Sequence, residues 1–243
     1  MIAIGFIVLV FCTYNHPLRK RLMSDIIYHN TLFIGLASGI IGGRLLHAFA
    51  EPETLQGHWI DILFPWVPGF YALGAIIGAI IGIVTYVWWR KVPVLPVLDL
   101  AALYVPLMQS IARIGCFAAG CCYGTPAYGL SWAITFTNPD AVAPLNVPLH
   151  PTQLYMSIGS LIIFILLRLA WPRLKSRAGS IVMLALMLEN ISRFVMDFWR
   201  ADRHLAPLTF GNSTVTLSHA QWLAIPVFLV AMVGFVVIWR SNK

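Results

Sequence analysis

Three arginines, Arg44, Arg113 and Arg193, stand within or directly beside long apolar runs. A charge there is costly enough that function is the default reading. A guanidinium stays protonated in a partly apolar site and offers a planar fork that grips two phosphate or carboxylate oxygens at once. Arg113 also opens a glycine- and cysteine-rich stretch that holds Cys116, Cys121 and Cys122. Arginine beside cysteine favours the thiolate, the nucleophilic form of a thiol whose ordinary pKa is about 8.5. The same cysteines fit two other readings: small apolar side chains filling a tight turn, or a disulfide in an oxidising compartment with Cys116 as one partner. They lack the paired spacing of a zinc ribbon, so neither a metal nor a cofactor is expected. His150 is either the base that takes a proton from an incoming group or a cap on the loop from Thr125 to Leu149.

The elements that must position these groups lie in a membrane. Of 243 residues, 59% are apolar and 10% are charged, whereas a soluble domain carries roughly 25% charged residues. Mean hydropathy is +0.81, and a water-soluble globular protein is excluded. The net charge of +7 would suggest nucleic acid in a polar chain; here it reads as membrane topology, and no nucleic-acid partner is expected. Crossing ~30 Å of hydrocarbon takes about 20 apolar residues. Six stretches qualify: Ile26 to Ala50, Gly69 to Trp89, Leu95 to Ala112, Leu154 to Trp171, Ser180 to Phe198 and Leu217 to Trp239. A seventh, Ile2 to Tyr14, reaches only ~20 Å as a helix. Because Arg19, Lys20 and Arg21 follow that run instead of preceding it, no cleavable leader is expected.

Eleven basic residues, Arg19, Lys20, Arg21, Arg90, Lys91, Arg168, Arg173, Lys175, Arg177, Arg240 and Lys243, fall at alternate ends of these spans. The positive-inside rule makes that side cytoplasmic. The expected fold is therefore all-α and polytopic: about seven transmembrane helices, N-terminus outside and C-terminus inside. It forms a single integral-membrane domain over 1–243, with outer-face loops at about 51–68 and 125–150. In the first loop, Trp59, Phe64 and Trp66 suggest an interfacial segment that gates entry or rests on headgroups. In the second, Trp132 to Phe136 reads as a strand or lip. Five basic residues, Arg44, Arg113, Arg193, Arg200 and Arg203, are left at outer helix ends without a topological reason. Snorkelling to headgroups is the alternative for the last two.

Helical periodicity groups the polar residues. At 100° per residue, Glu189, Asn190, Arg193, Asp197 and Arg200 share one arc of the sixth span, and Asp99, Pro106, Gln109, Ser110 and Arg113 share one of the fourth. Acids four residues from Arg193 hold its guanidinium in place, and two arginines from two helices converge, either on an anion or in a purely structural salt-bridge core. Gly35, Gly39 and Gly43, and Gly74, Gly78 and Gly82, are small-xxx-small patterns read as helix packing.

The run Arg113-Ile114-Gly115-Cys116-Phe117 through Tyr123-Gly124 resembles the signature of the bacterial prolipoprotein diacylglyceryl transferases. So do His150-Pro151-Thr152-Gln153-Leu154-Tyr155, the Arg193-Phe194 helix with Asp197 and Arg200, Ser218 with Gln221, and Gly42-Gly43-Arg44-Leu45. Four positions depart from the family pattern. Cys116 stands for its Asn, Cys121 for its acid, and Met156 for the acid after Tyr; Phe70-Tyr71-Ala72 stands where members carry His-Gly-Gly.

The resemblance implies an enzyme of the bacterial inner membrane, with its site toward the outer leaflet. It would move a diacylglyceryl group from phosphatidylglycerol to the lipobox cysteine in the signal peptide of a prolipoprotein. Its implied catalytic residues are Arg113, Arg193 and His150; the cysteine cluster itself adds Cys116, Cys121 or Cys122 as a candidate nucleophile in a two-step transfer. Arg44, Tyr71, Gln109, Tyr123, Gly124, Gln153, Tyr155, Asn190, Asp197 and Arg200 would bind membrane lipid and acceptor. A related transferase with another acceptor, or a lipid-binding or flipping protein without catalysis, are the competing expectations.

Overall fold

The computed structural model describes residues 1–52, 69–203, 205–210 and 213–241. The chain is mostly helical: α1 (Ile2–Asn15), α2 (Pro17–Leu22), α3 (Asp25–Ala50), α4 (Ala72–Trp89), α5 (Val94–Ala118), α6 (Thr152–Leu174), α7 (Ser180–Met196) and α8 (His219–Ser241). Five of these, α3, α4, α5, α6 and α8, are long and apolar enough to cross a membrane. The chain is thus a multi-pass membrane protein. α1, with 14 residues, and α7, with 17, are shorter than the usual span.

Two antiparallel ladders interrupt the all-α expectation. β1 (Ile134–Thr135) pairs with β2 (Pro148–Leu149), and β3 (Leu205–Phe210) pairs with β4 (Ser213–Ser218). The first fulfils the strand reading of Trp132 to Phe136. The second corrects the last span, because Leu217 and Ser218 end a strand and the helix begins at His219. Alternation of Thr and apolar residues before Ser218 was the available signal. Two further boundaries moved. α5 continues to Ala118, so Arg113 lies on the helix as expected and Cys116 rides on its last turn instead of in the turn that follows, and α7 closes in a tight turn over Asp197–Trp199. The aromatic outer loop of 51–68 lies outside the described residues beyond position 52.

The described residues form two compact units, Tyr14–Val97 and Met1–Thr13 with Leu98–Lys243. In the first, α3 and α4 pack backbone to backbone. A Cβ on Gly42 would meet the Gly74 carbonyl and Gly78, one on Gly78 the Ser38 carbonyl, and one on Gly39 the Ala75 carbonyl at 3.3 Å. The glycines therefore serve as packing, with Gly42 in the role the sequence reading gave Gly43, whose face is covered by the Phe70 ring. Arg19, read as a topology signal, is buried: it ion-pairs with Asp25 and stacks on Tyr14 and Tyr28.

In the second unit, Asp99 is buried, and its carboxylate accepts from the backbone N–H of Gly179 at 2.6 Å and of Val182 at 2.9 Å. It therefore caps the N-terminus of α7, at the far end of α5 from Arg113, and is no partner of that arginine although it shares its arc. Asp99→Ala is expected to cost about 0.5–2 kcal/mol, read as a lower Tm in detergent with turnover per folded molecule retained.

Candidate functional site

The end of α5 explains how three cysteines meet. Gly120 takes a left-handed conformation at φ 68. Its N–H donates to the Phe117 carbonyl and that of Cys121 to the Cys116 carbonyl, both at 3.1 Å. This is a Schellman cap, which brings the residue after the glycine against the one five positions earlier. The Cys121 thiol accordingly lies 3.6 Å from the Cys116 carbonyl oxygen. Cys122 follows at φ 58, costly for a residue with a Cβ and retained only where the surroundings impose it. The three sulfurs lie within 4.8 Å of one another as unpaired thiols, so the disulfide reading of Cys116 is not realised.

The His-Pro-Thr-Gln motif imposes that turn. Thr152 donates to the Cys122 carbonyl and Gln153 to the Cys121 carbonyl, each at 2.8 Å, and both side chains are fully buried. Gln153, expected to bind substrate, instead spends its amide holding the cysteine turn. His150 binds Thr125 and Gly124 through its backbone, capping the loop as one reading expected. Its ring Nδ1 lies 3.4 Å from the Tyr155 hydroxyl, which also accepts from Trp132 Nε1 at 2.8 Å. Gly124 sits where two strands cross. A Cβ there would lie 2.6 Å from the His150 carbonyl and 2.7 Å from that of Trp199. Gly124→Ala must part these backbones. The expected result is a lower Tm together with loss of activity, checked by thermal unfolding and a transfer assay on the same preparation.

The second wall comes from α7. Arg193 pairs with Asp197 at 3.2 Å across one helical turn, and Asp197 is 2% exposed. Ser218 donates to the same carboxylate, and Arg203 Nε approaches it at 3.6 Å. Ser218 and Gln221 form a capping box: Gln221 N–H donates to Ser218 Oγ at 3.1 Å, and Ser218 N–H donates to Gln221 Oε1 at 3.0 Å. Gln221 also donates to the Phe194 carbonyl. This fastens the start of α8 to the end of α7. Arg200, 5% exposed, forks onto Asp202 with both a 2.8 Å Nε contact and an Nη2 contact, and its Nη1 lies 3.5 Å from the Met156 sulfur.

These walls share an electrostatic field. Arg113 lies 3.7 Å from the Cys122 sulfur, and Arg200 hydrogen-bonds to it as well. Arg193 is repelled by Arg200 and by Arg113, and Glu189 is drawn to Arg113. The arginines of α5 and α7 thus lie close enough to repel one another. Of the other expected binders, Gln109 accepts from Ser160 at 3.4 Å, joining α5 to α6. Tyr123 accepts from Ala201 N–H through its carbonyl. Asn190 turns its amide back to the Leu186 carbonyl, so its hydrogen bond stays within its own helix.

The thiols differ in chemistry. Burial and then the two neighbouring sulfurs push Cys121 up to about 11. Burial also raises Cys122, but the Arg200 hydrogen bond and the charges of Arg200 and Arg113 outweigh it and hold this thiol below its usual value. The more readily ionised of these two thiols is therefore Cys122, one of the three cysteines the sequence offers as a nucleophile, and Cys121 is a poor nucleophile. Iodoacetamide is expected to modify Cys122 before Cys121, its rate levelling off at a lower pH than that of an ordinary thiol, while Cys121 reacts only as pH approaches 11. Peptide mapping after timed labelling measures both.

In the unit of Tyr14–Val97, Arg44 donates to the Gly69 carbonyl at 2.7 Å. The Tyr71 hydroxyl donates to Glu51 at 2.7 Å, which raises its pKa. His47, absent from the sequence reading, is buried, lies 3.5 Å from Glu51, and has its ring 5.7 Å from that of Tyr71. Its position one turn after Arg44 was the available signal.

The family model described as prolipoprotein diacylglyceryl transferase matches residues 1–237. The chain belongs to the prolipoprotein diacylglyceryl transferase family. Among its relatives is the phosphatidylglycerol–prolipoprotein diacylglyceryl transferase of Clostridium tetani, 32% identical over 97% of this chain and 90% of the relative. The second such transferase of Clostridium perfringens is 30% identical over 100% and 89%, and that of Thermotoga maritima 29% over 100% and 80%. Within this transferase family, two departures of the chain have local counterparts. Asp202 gives Arg200 a carboxylate partner where Met156 offers only sulfur, and His47 places an imidazole beside Tyr71.

Proposed function

We propose that this protein transfers a diacylglyceryl group from phosphatidylglycerol to the lipobox cysteine of an exported prolipoprotein. Family membership supports the reaction, and one observation supports the site: Arg193 is fixed by a buried Asp197 within reach of Arg113. The acceptor thiolate attacks the terminal glyceryl carbon, a C–S bond forms, and the C–O bond to phosphate breaks. The electron pair leaves on the phosphate oxygen as glycerol phosphate. Arg113 and Arg193 hold that phosphate and stabilise the charge that develops on it.

His150 takes the acceptor's proton on Nε2, in the tautomer whose Nδ1–H points at Tyr155. Arg44, Tyr71 and Tyr155 bind lipid and headgroup. Arg200 and Asp197 orient the arginines, while Gln109, Gln153, Tyr123 and Gly124 shape the walls. Cys116 and Cys121 line the site and do not relay the lipid, because a thioether on either would have to expel a thiolate, a poorer leaving group than phosphate. α1 and α7 complete seven spans. The N-terminus lies outside, the C-terminus inside, and the site faces the outer leaflet of the inner membrane, as the basic residues require.

The test supplies purified protein with phosphatidylglycerol labelled in both parts and a lipobox peptide. Labelled thioether peptide with an equal release of glycerol phosphate is expected. Release with an amine or small thiol but not with the peptide would mark a different acceptor. Lipid binding without release would mark a protein that does not catalyse.

A further inference from the structure

We propose that Cys116, Cys121 and Cys122 form a binding site for one Cu(I) ion. The inference stands apart from the transfer reaction. Its basis is the Schellman turn, which assembles three sulfurs within 4.8 Å of one another from positions that have no metal-site spacing. Three sulfurs around one ion at metal–sulfur bonds of ~2.3 Å stand ~4.0 Å apart, so less than an ångström of side-chain rotation closes the set.

The ligand type and number select the ion. Thiolates favour soft ions, Cu(I) and Zn among them, but structural zinc requires four ligands. Among the described residues no His, Asp or Glu joins the three sulfurs. A three-coordinate monovalent ion fits the set as it stands. The turn is also held ready. The carbonyls of Cys121 and Cys122 are clamped by Gln153 and Thr152 at 2.8 Å, so little ordering remains to be done on binding. All three cysteines are only half-buried, which leaves an entry path.

Charge closes the argument. Binding converts three S–H groups to thiolates, releases three protons to buffer and changes no oxidation state. The Cu(I) cluster then carries two net negative charges. Arg113, 3.7 Å from the Cys122 sulfur, and Arg200, hydrogen-bonded to it, face that charge with two positive ones.

The experiment titrates the full chain in detergent with Cu(I), kept reduced by ascorbate, against the chelator bathocuproine disulfonate. The expected result is one Cu(I) per chain in the wild type and in Cys12→Ser, and loss of binding at the same chelator level in Cys121→Ser and in Cys116→Ser. Thermal unfolding verifies that each variant is folded, and X-ray absorption should show three sulfurs at about 2.3 Å. No copper on the wild type, copper retained by both folded serine variants, or sulfur coordination other than three would overturn the site.

Discussion

Arg113→Lys and Arg193→Lys should each slow diacylglyceryl transfer by about 10²–10³, the ~2.7–4 kcal/mol that a preorganised donor to a developing anion contributes, with Tm nearly unchanged. Lysine keeps the charge but not the fork. At position 193 it retains an ion pair with Asp197, four residues on, yet presents a single point donor to the phosphate. At position 113 it loses the hydrogen bond to the Cys122 sulfur as well. The account locates the loss in the chemical step, so kcat falls while KM for phosphatidylglycerol moves little. Radiometric transfer at saturating lipid, with circular dichroism melts of the same samples, measures both.

Asp197→Asn should produce the second large effect, and it should strike fold and rate together. The carboxylate is 2% exposed and takes Arg193 at 3.2 Å, Arg203 at 3.6 Å and the Ser218 hydroxyl. Removing one partner of a buried ion pair costs about 3–5 kcal/mol. The low end applies here, because the Arg193 side chain keeps 37% of its surface exposed. Without the carboxylate, Arg193 keeps only the weaker pull of Asp202 against the repulsion of Arg200 and Arg113 and swings away from the phosphate. Turnover therefore drops at least as far as in Arg193→Lys. A clear fall in Tm should accompany it, and that fall separates this variant from the lysine series in a thermal melt.

Local periodicity and charge made part of this legible. Asp197 stands one turn after Arg193, so i,i+4 spacing alone predicts the pair that the structure contains. Glycines every fourth residue on α3 and α4 likewise announce the close approach of those helices. What escaped depends on three dimensions. Asp99 shares a helical arc with Arg113, yet it faces a helix start 80 residues away in sequence, and no spacing on its own helix encodes that. Cys116, Cys121 and Cys122 share one stretch without metal-site spacing, and only the left-handed turn at Gly120 brings their sulfurs together. The strand before Ser218 was absorbed into an apolar run, because hydropathy cannot tell a half-buried strand from the end of a span. His47 was passed over for a neighbouring reason: lying inside an apolar helix, its partner Glu51 sits just beyond the helix end.

The most direct test of the central claim is a double-mutant cycle on Arg113 and Arg193. Transfer rates are compared for wild type, the two lysine variants and their combination. Two guanidiniums on one leaving phosphate are coupled, so the double variant should fall well short of the product of the single losses. Strictly multiplicative losses would show that the arginines act on separate groups and would contradict the account.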